Sequence, residues 1–300
     1  MIPVVGTGVT DALGWLVIGL MLAAWATERR RPVIARRLAA AGWGLFGVFW
    51  LIMIPRFALI MRSFIETILA ALAVAGCLYA ALLILRGRDE LFTLTRAVAV
   101  MGLVYLPFTS IPMLRRAAVE MVAAHIYTVI TWLGHDPAFT MGPNGYLSAL
   151  EFTTDGHTYI THIVLQCTGI GSMSVFAGLV GASDAPRDRK LRAIALAVGI
   201  IYVLNVIRNV FIALAFGNQW FQVLVDPVMA VTGYTQPGLV SFFIADRVLA
   251  QSASVVALVG ITWLIVRTVP ELLSLLEEML YVVTHTEYDL HAAFSIEARR

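Results

Sequence analysis

Long apolar runs alternate along this chain with short connectors that are mostly basic. An α-helix needs about 20 apolar residues to cross the hydrocarbon core of a bilayer. By that measure the pattern predicts spans over 9–27, 38–55, 63–85, 95–113, 161–182, 193–217 and 239–266. Connectors rich in arginine and lysine stay on the cytoplasmic side. Arg29, Arg30, Arg31, Arg36 and Arg37 assign the first connector to that side, and Arg86 and Arg88 lie in the third. Arg187, Arg189, Lys190 and Arg192 follow the fifth span, and Arg267 closes the seventh. Seven spans with the N-terminus outside and the C-terminus inside satisfy all of these at once. Met1 to Thr10 carry no basic residue, and Glu28 to Arg31 come after the apolar run. That order predicts a first span with an outer N-terminus rather than a cleavable signal peptide.

One stretch departs from the pattern. Residues 115–134 are apolar enough for an eighth span, but they carry Arg115, Arg116, Glu120 and His125. A crossing here would put the Arg187–Arg192 connector outside. Val119, Val122, Ile126, Ile130 and Leu133 recur at helical spacing, which predicts an amphipathic helix on the outer surface. Residues 135–160 follow as a polar loop, punctuated by Pro137, Gly142, Pro143, Asn144, Gly145 and Gly156. Thr153 to Ile163 is rich in Thr, Tyr and Ile and predicts a short hairpin. After Pro270, the residues Leu272, Leu273, Leu276 and Leu280 predict a surface helix leading into a polar end.

The expected fold is therefore an all-α polytopic membrane helix bundle of about seven spans, eight being the alternative, with an extracytoplasmic amphipathic helix and loop. Its expected divisions are N-terminal spans over 1–114, the amphipathic helix and loop over 115–160, catalytic spans over 161–267 and a cytoplasmic tail over 268–300. Composition agrees. The chain is 60% hydrophobic and 13% charged, against roughly 45–50% and about 25% in soluble domains. A net charge of +2 is too small to argue for a nucleic-acid partner. Cysteine occurs only twice. Cys77 lies in the middle of one run and Cys167 near the start of another, so no disulfide between them is expected.

Cys167 opens the stretch Cys167-Thr168-Gly169, and Arg208 and Arg247 follow, each inside a later apolar run. An arginine within a span costs on the order of 2.5–3.5 kcal/mol and usually marks a functional site. At about 1.5 Å per residue, all three residues lie roughly 25–30 Å above the cytoplasmic boundary set by the basic connectors. They share one layer near the outer face. Snorkelling of arginines to the interface accounts for part of that match, but not for the cysteine.

The chemistry of such a layer is specific. Nearby cations lower a thiol's pKa and supply the thiolate nucleophile. One guanidinium can hold that thiolate while the other donates to the oxyanion of a tetrahedral intermediate. The positive end of a helix N-terminus near Cys167 favours the same anion. Asp246 reads first as a simple surface or interhelical residue, with orientation of Arg247 as the alternative. His162 is open as a base for Cys167. His157, His162 and Cys167 recur every five residues, an interval that turns a helix by about 500° and flips faces on a strand. Regular structure cannot aim all three at one ion, and no metal or cofactor is expected. Gly169, Gly171, Gly178 and Gly181 read as helix-packing contacts, and Trp220, Phe221 and Tyr234 as an outer aromatic belt. A transporter, or a lipid-binding scaffold with a non-catalytic Cys/Arg cluster, is the other class. A transporter would spread its charges along a path across the bilayer.

At these residues the chain resembles the exosortase/archaeosortase family. The family pattern is a Cys-[Thr/Ser/Asn]-Gly start to one span, an arginine in the next and a third polar residue in the one after. The matching positions are Cys167-Thr168-Gly169, Arg208 within Asn205-Val206-Ile207-Arg208-Asn209, and Arg247 within Ala245-Asp246-Arg247. Arginine rather than histidine at the third position is similar to the archaeal branch. The resemblance implies a membrane cysteine transpeptidase with Cys167, Arg208 and Arg247 catalytic. Thr168, Gly169, Asn209, His162 and Asp246 are expected in supporting roles. It implies clients that are secreted proteins ending in a Pro-Gly-Phe motif, a transmembrane helix and a basic tail, with S-layer glycoprotein as the typical one. It further implies a thioester on Cys167, resolved by a membrane phospholipid.

Overall fold

The computed structural model describes residues 7–60, 64–154 and 156–293. Helices dominate. They are α1 (Thr7–Thr27), α2 (Pro32–Pro55), α3 (Phe64–Leu85), α4 (Leu91–Ser110) and α5 (Pro112–Trp132), then α6 (Ile170–Ala182), α7 (Arg187–Gly217), α8 (Val225–Thr232), α9 (Leu239–Phe242), α10 (Gln251–Thr268), α11 (Leu272–Thr284) and α12 (Leu290–Ala293). A π-helical segment, Phe243–Ala250, joins α9 to α10, so that 239–268 is one continuous rod. Among the described residues, six helices are long and apolar enough to cross a membrane. They are Gly8–Thr27, Pro32–Leu59, Glu66–Leu85, Leu91–Ser110, Arg187–Gly217 and Leu239–Thr268. Each overlaps a span read from the sequence; position 63 lies outside the described residues.

The fifth expected span, 161–182, differs. Only Ile170–Ala182 is helical there, 13 residues long. The residues before it are the end of a strand and a 3₁₀ turn, Leu165–Thr168. Apolarity alone cannot tell a short strand and turn from a helix, and Thr158 to Ile163 is rich in β-branched residues. The loop at 135–160 is likewise more ordered than expected. It holds a three-stranded antiparallel sheet, β1 (Ala138–Met141), β2 (Leu147–Thr154) and β3 (His157–His162), in the order β1-β2-β3. The expected hairpin is its second half, with Thr154 opposite His157. Gly156 sits in that tight connection at φ +75°, where a side chain would be strained. The bundle is thus helical with one small sheet.

The chain divides into two compact units. The first comprises Met1–Ser110, Ser174–Ile194 and Val266–Arg300, and the second Ile111–Met173 and Ala195–Ile265. In the first, α1, α2, α3 and α4 bury Met21, Ala24, Trp43, Cys77, Ile84 and Leu91. The Trp43 indole N–H donates to Thr95 Oγ1 at 2.9 Å within that core. Gly178 and Gly181 allow α6 to lie close on α4, since a Cβ at Gly178 would come 2.5 Å from the Ala97 carbonyl. The tail helix α11 is less superficial than its pattern predicts. Leu272, Leu273 and Leu275 are buried, Arg189 pairs with Glu271 at 2.8 Å, and Arg88 pairs with Glu278 at 2.9 Å while stacking on Tyr281. Its buried stripe runs through Leu275 rather than through Leu276 and Leu280.

In the second unit α5 lays one face on the sheet and on α7. Val119, Val122, Ile126 and Ile130 pack with Leu150, Phe152, Ile163, Val206, Val210 and Leu214. This is the expected amphipathic stripe, except that Leu133 is exposed. Pro112 starts α5 without leaving an unpaired N–H. Thr154 Oγ1 donates to the Gly217 carbonyl at 2.8 Å, tying the hairpin to the C-terminal end of α7. Ser241 Oγ donates to the Ala215 carbonyl at 2.7 Å and so ties α9 to the same end.

Candidate active site

The second unit brings Cys167, Arg208 and Asp246 within range of one another. Cys167 is the third residue of the 3₁₀ turn Leu165–Thr168, outside the helical spans. Three neighbours build this turn. Thr168 is buried, and its hydroxyl donates to the Leu165 carbonyl at 2.6 Å. Gly169 closes the turn in the left-handed region at φ +78°. Its carbonyl then accepts the Met173 N–H at 3.0 Å and starts α6. One residue ends one helix type and begins another in a direction that only glycine takes at low cost. A Cβ there would also lie 3.1 Å from Asn205 Cγ. Gly169 is therefore a turn-former pressed against α7, not the helix-packing glycine its run predicts.

Asn205 and Asn209 stand one turn apart on α7 and point at the same atom. Asn205 Nδ2 donates to the Cys167 carbonyl at 2.6 Å, and Asn209 Nδ2 donates to it at 3.0 Å. Asn209 also donates to the Asn205 carbonyl at 2.7 Å. Between them in sequence, Arg208 donates from Nη2 to Asp246 Oδ1 at 2.6 Å. The Arg208 Nε–H is buried and has no acceptor among the described residues. Asp246 and Arg247 lie on the π-helical segment, a backbone form that recurs at functional sites. Arg247 Nε is 3.6 Å from Asp246 Oδ2, and the Arg247 side chain is half-exposed. Asp246 thus binds Arg208 on α7 at 2.6 Å and Arg247 at 3.6 Å, which is the interhelical role that its sequence reading put first.

The electrostatics follow. Arg208 and Asp246 are the charged groups that act on the turn. Asp246 offsets the cost of burying the Arg208 charge. The Cys167 thiol is pushed up, chiefly by burial. The Val164 backbone and the Arg208 cation pull it down, and Asp246 pushes it up. His162 ends β3, exposed, and no hydrogen bond joins it to Cys167. Cys77 is buried in the first unit. Among the described residues, no group of three His, Cys, Asp or Glu side chains converges as metal binding would require. Sequence reasoning passes over Asn205. Its signal is legible afterwards: two amides at an i, i+4 interval flank the arginine in an otherwise apolar run.

A family model described as transmembrane exosortase matches residues 7–245, which include both the Cys167 turn and Arg208. The chain belongs to the exosortase family. It is 45% identical over 298 residues to Archaeosortase A of Haloferax volcanii, covering 96% of this chain and 98% of that one. It is 46% identical over 282 residues to Archaeosortase A of Natronomonas pharaonis, covering 91% and 89%. No solved structure gives a significant match. Like its relatives, this exosortase-family chain is a multi-pass membrane protein and a sorting peptidase or transpeptidase.

Proposed function

We propose that this exosortase-family enzyme works through Cys167 as nucleophile, with Arg208 and Arg247 stabilising charge, on secreted proteins that carry a C-terminal sorting signal. The observation that carries the reading is Arg208. One of its N–H groups is held by Asp246, another is buried without an acceptor, and its charge acts on the Cys167 thiol. An unpartnered buried donor costs about 1–3 kcal/mol. A developing oxyanion is the natural group to satisfy it, and such a donor typically contributes about 10²–10³ in rate.

The chemistry balances without a cofactor. The Cys167 sulfur attacks the scissile carbonyl, the peptide C–N bond breaks, and the thiol proton ends on the amine of the released C-terminal segment. The product is a thioester on Cys167. A nucleophilic headgroup group of a membrane phospholipid then attacks that carbonyl, gives its proton back to sulfur and takes the acyl chain. The client becomes lipid-anchored. The signal recognised is a Pro-Gly-Phe motif, a transmembrane helix and a basic tail, and S-layer glycoprotein is the client proposed. Thr168, Gly169 and Asp246 support the site by shaping the turn and holding Arg208. His162 is the remaining candidate for moving the proton. The site faces the outer side, residues 1–114 supply spans, 115–160 form the outer surface, 161–267 carry the catalytic groups and 268–300 lie in the cytoplasm.

Co-expression with a client bearing that signal tests the reading. Loss of the client's C-terminal helix should occur with the parent enzyme and with Cys77→Ala, and should stop with Cys167→Ala at matched membrane abundance. Normal processing by Cys167→Ala would refute the nucleophile.

A further inference from the structure

The carbonyl of Cys167 is held in an unusual way. Two side-chain amides from one helix converge on a single backbone oxygen, at 2.6 and 3.0 Å. Cys167 is one residue from the end of the 3₁₀ turn, and Gly169 turns the chain away from regular helix, so this carbonyl needs donors from elsewhere. One amide would satisfy it. The second adds direction: two donors one helical turn apart fix the carbonyl along the α7 axis as well as across it. Asn209 is itself fixed, since its Nδ2 also donates to the Asn205 carbonyl and its side chain is buried. The close contact of Gly169 with Asn205 leaves little room for the turn to shift. Arg208 projects from the same helix, immediately before Asn209.

We infer that Asn205 and Asn209 are positioning residues that lock the Cys167 turn to α7 and so set the distance and orientation between the thiol and Arg208. This rests on the reading of Cys167 as nucleophile. It goes beyond that reading by assigning the relation between thiol and guanidinium to two amides that donate to backbone carbonyls. A carbonyl clamp of this kind acts on the chemical step and not on client recognition. A misplacement of about 1 Å at a reacting group costs on the order of 10²-fold.

Two measurements test the clamp. The first is steady-state client processing by Asn205→Leu and Asn209→Leu, each a near-isosteric loss of the donors. Both variants should lose on the order of 10²-fold in kcat while KM stays within about twofold. The second is alkylation of Cys167 by a small uncharged thiol reagent at fixed pH, which needs no client. Arg208→Ala and Asn205→Leu should each slow it, and the double variant should be no slower than the slower single one, because the clamp acts only through Arg208. Cys77 should stay unreactive in every variant, which verifies that the first unit remains folded. Additive slowing in the double variant, or unchanged kcat in both asparagine variants, would overturn the clamp. If Cys167→Ala processes the client, the nucleophile reading fails, and the alkylation cycle still decides the clamp by itself.

Discussion

At the residue scale the chemistry turns on one thiol and one guanidinium. Burial pushes the Cys167 thiol up, and Arg208 is a cation that opposes this. The thiolate fraction therefore grows as pH rises through a value above the ordinary thiol range, near 8.5. Alkylation of Cys167 by a small uncharged reagent should accelerate with a midpoint above that of a free thiol. Arg208→Ala removes an opposing charge and should move the midpoint higher still; a midpoint that falls would contradict the arrangement. Arg208→Lys separates charge from shape. An ammonium keeps the charge but not the planar fork that reaches Asp246 and an oxyanion together. Client processing should fall by most of its rate in Arg208→Lys and be lost in Arg208→Ala. At position 247 a histidine keeps a ring N–H donor, and Arg247→His should retain more turnover than Arg247→Ala.

At the element scale the short Cys167-Thr168-Gly169 stretch gains a physical reason. A left-handed backbone costs a residue with a Cβ roughly 1–2 kcal/mol, and the contact with Asn205 adds to it. Gly169→Ala should lower the thermal midpoint of the purified protein in detergent and slow processing more than its stability loss explains. Ile126→Ala opens a cavity between α5, the sheet and α7, with an expected loss of about 2–5 kcal/mol; Trp132→Ala, at an exposed side chain, should leave the midpoint unchanged. Helical periodicity made α5 readable, because Val119, Val122, Ile126 and Ile130 recur on one face. It failed before Ile170, where the end of β3, the 3₁₀ turn and the start of α6 follow one another with no period to separate them. It failed again at Asn205, because residue type names a polar group in a span but does not say which atom, on which distant segment, will accept its hydrogen bond. Asp246 shows the same limit: an interhelical role is legible for it, but not that its partner is Arg208.

At the scale of the whole molecule, apolar runs locate the six helices that, among the described residues, are long and apolar enough to cross a membrane. Run length cannot reveal how the chain partitions, since each unit is assembled from segments far apart in sequence. The orientation proposed from the basic connectors predicts that a tag after Arg300 stays protected when intact cells meet an external protease, and that an impermeant thiol reagent reaches Cys167 from outside. Digestion of the tag would reverse the topology. The central claim is the covalent intermediate. The most direct measurement is to incubate purified parent enzyme with a client bearing the sorting signal, without phospholipid acceptor, and map by mass spectrometry where the client's shortened chain is attached. The account predicts a hydroxylamine-sensitive adduct on Cys167, with the client's C-terminal helix released as a free amine. Client cleavage with no adduct on Cys167, or an adduct on another residue, would contradict it.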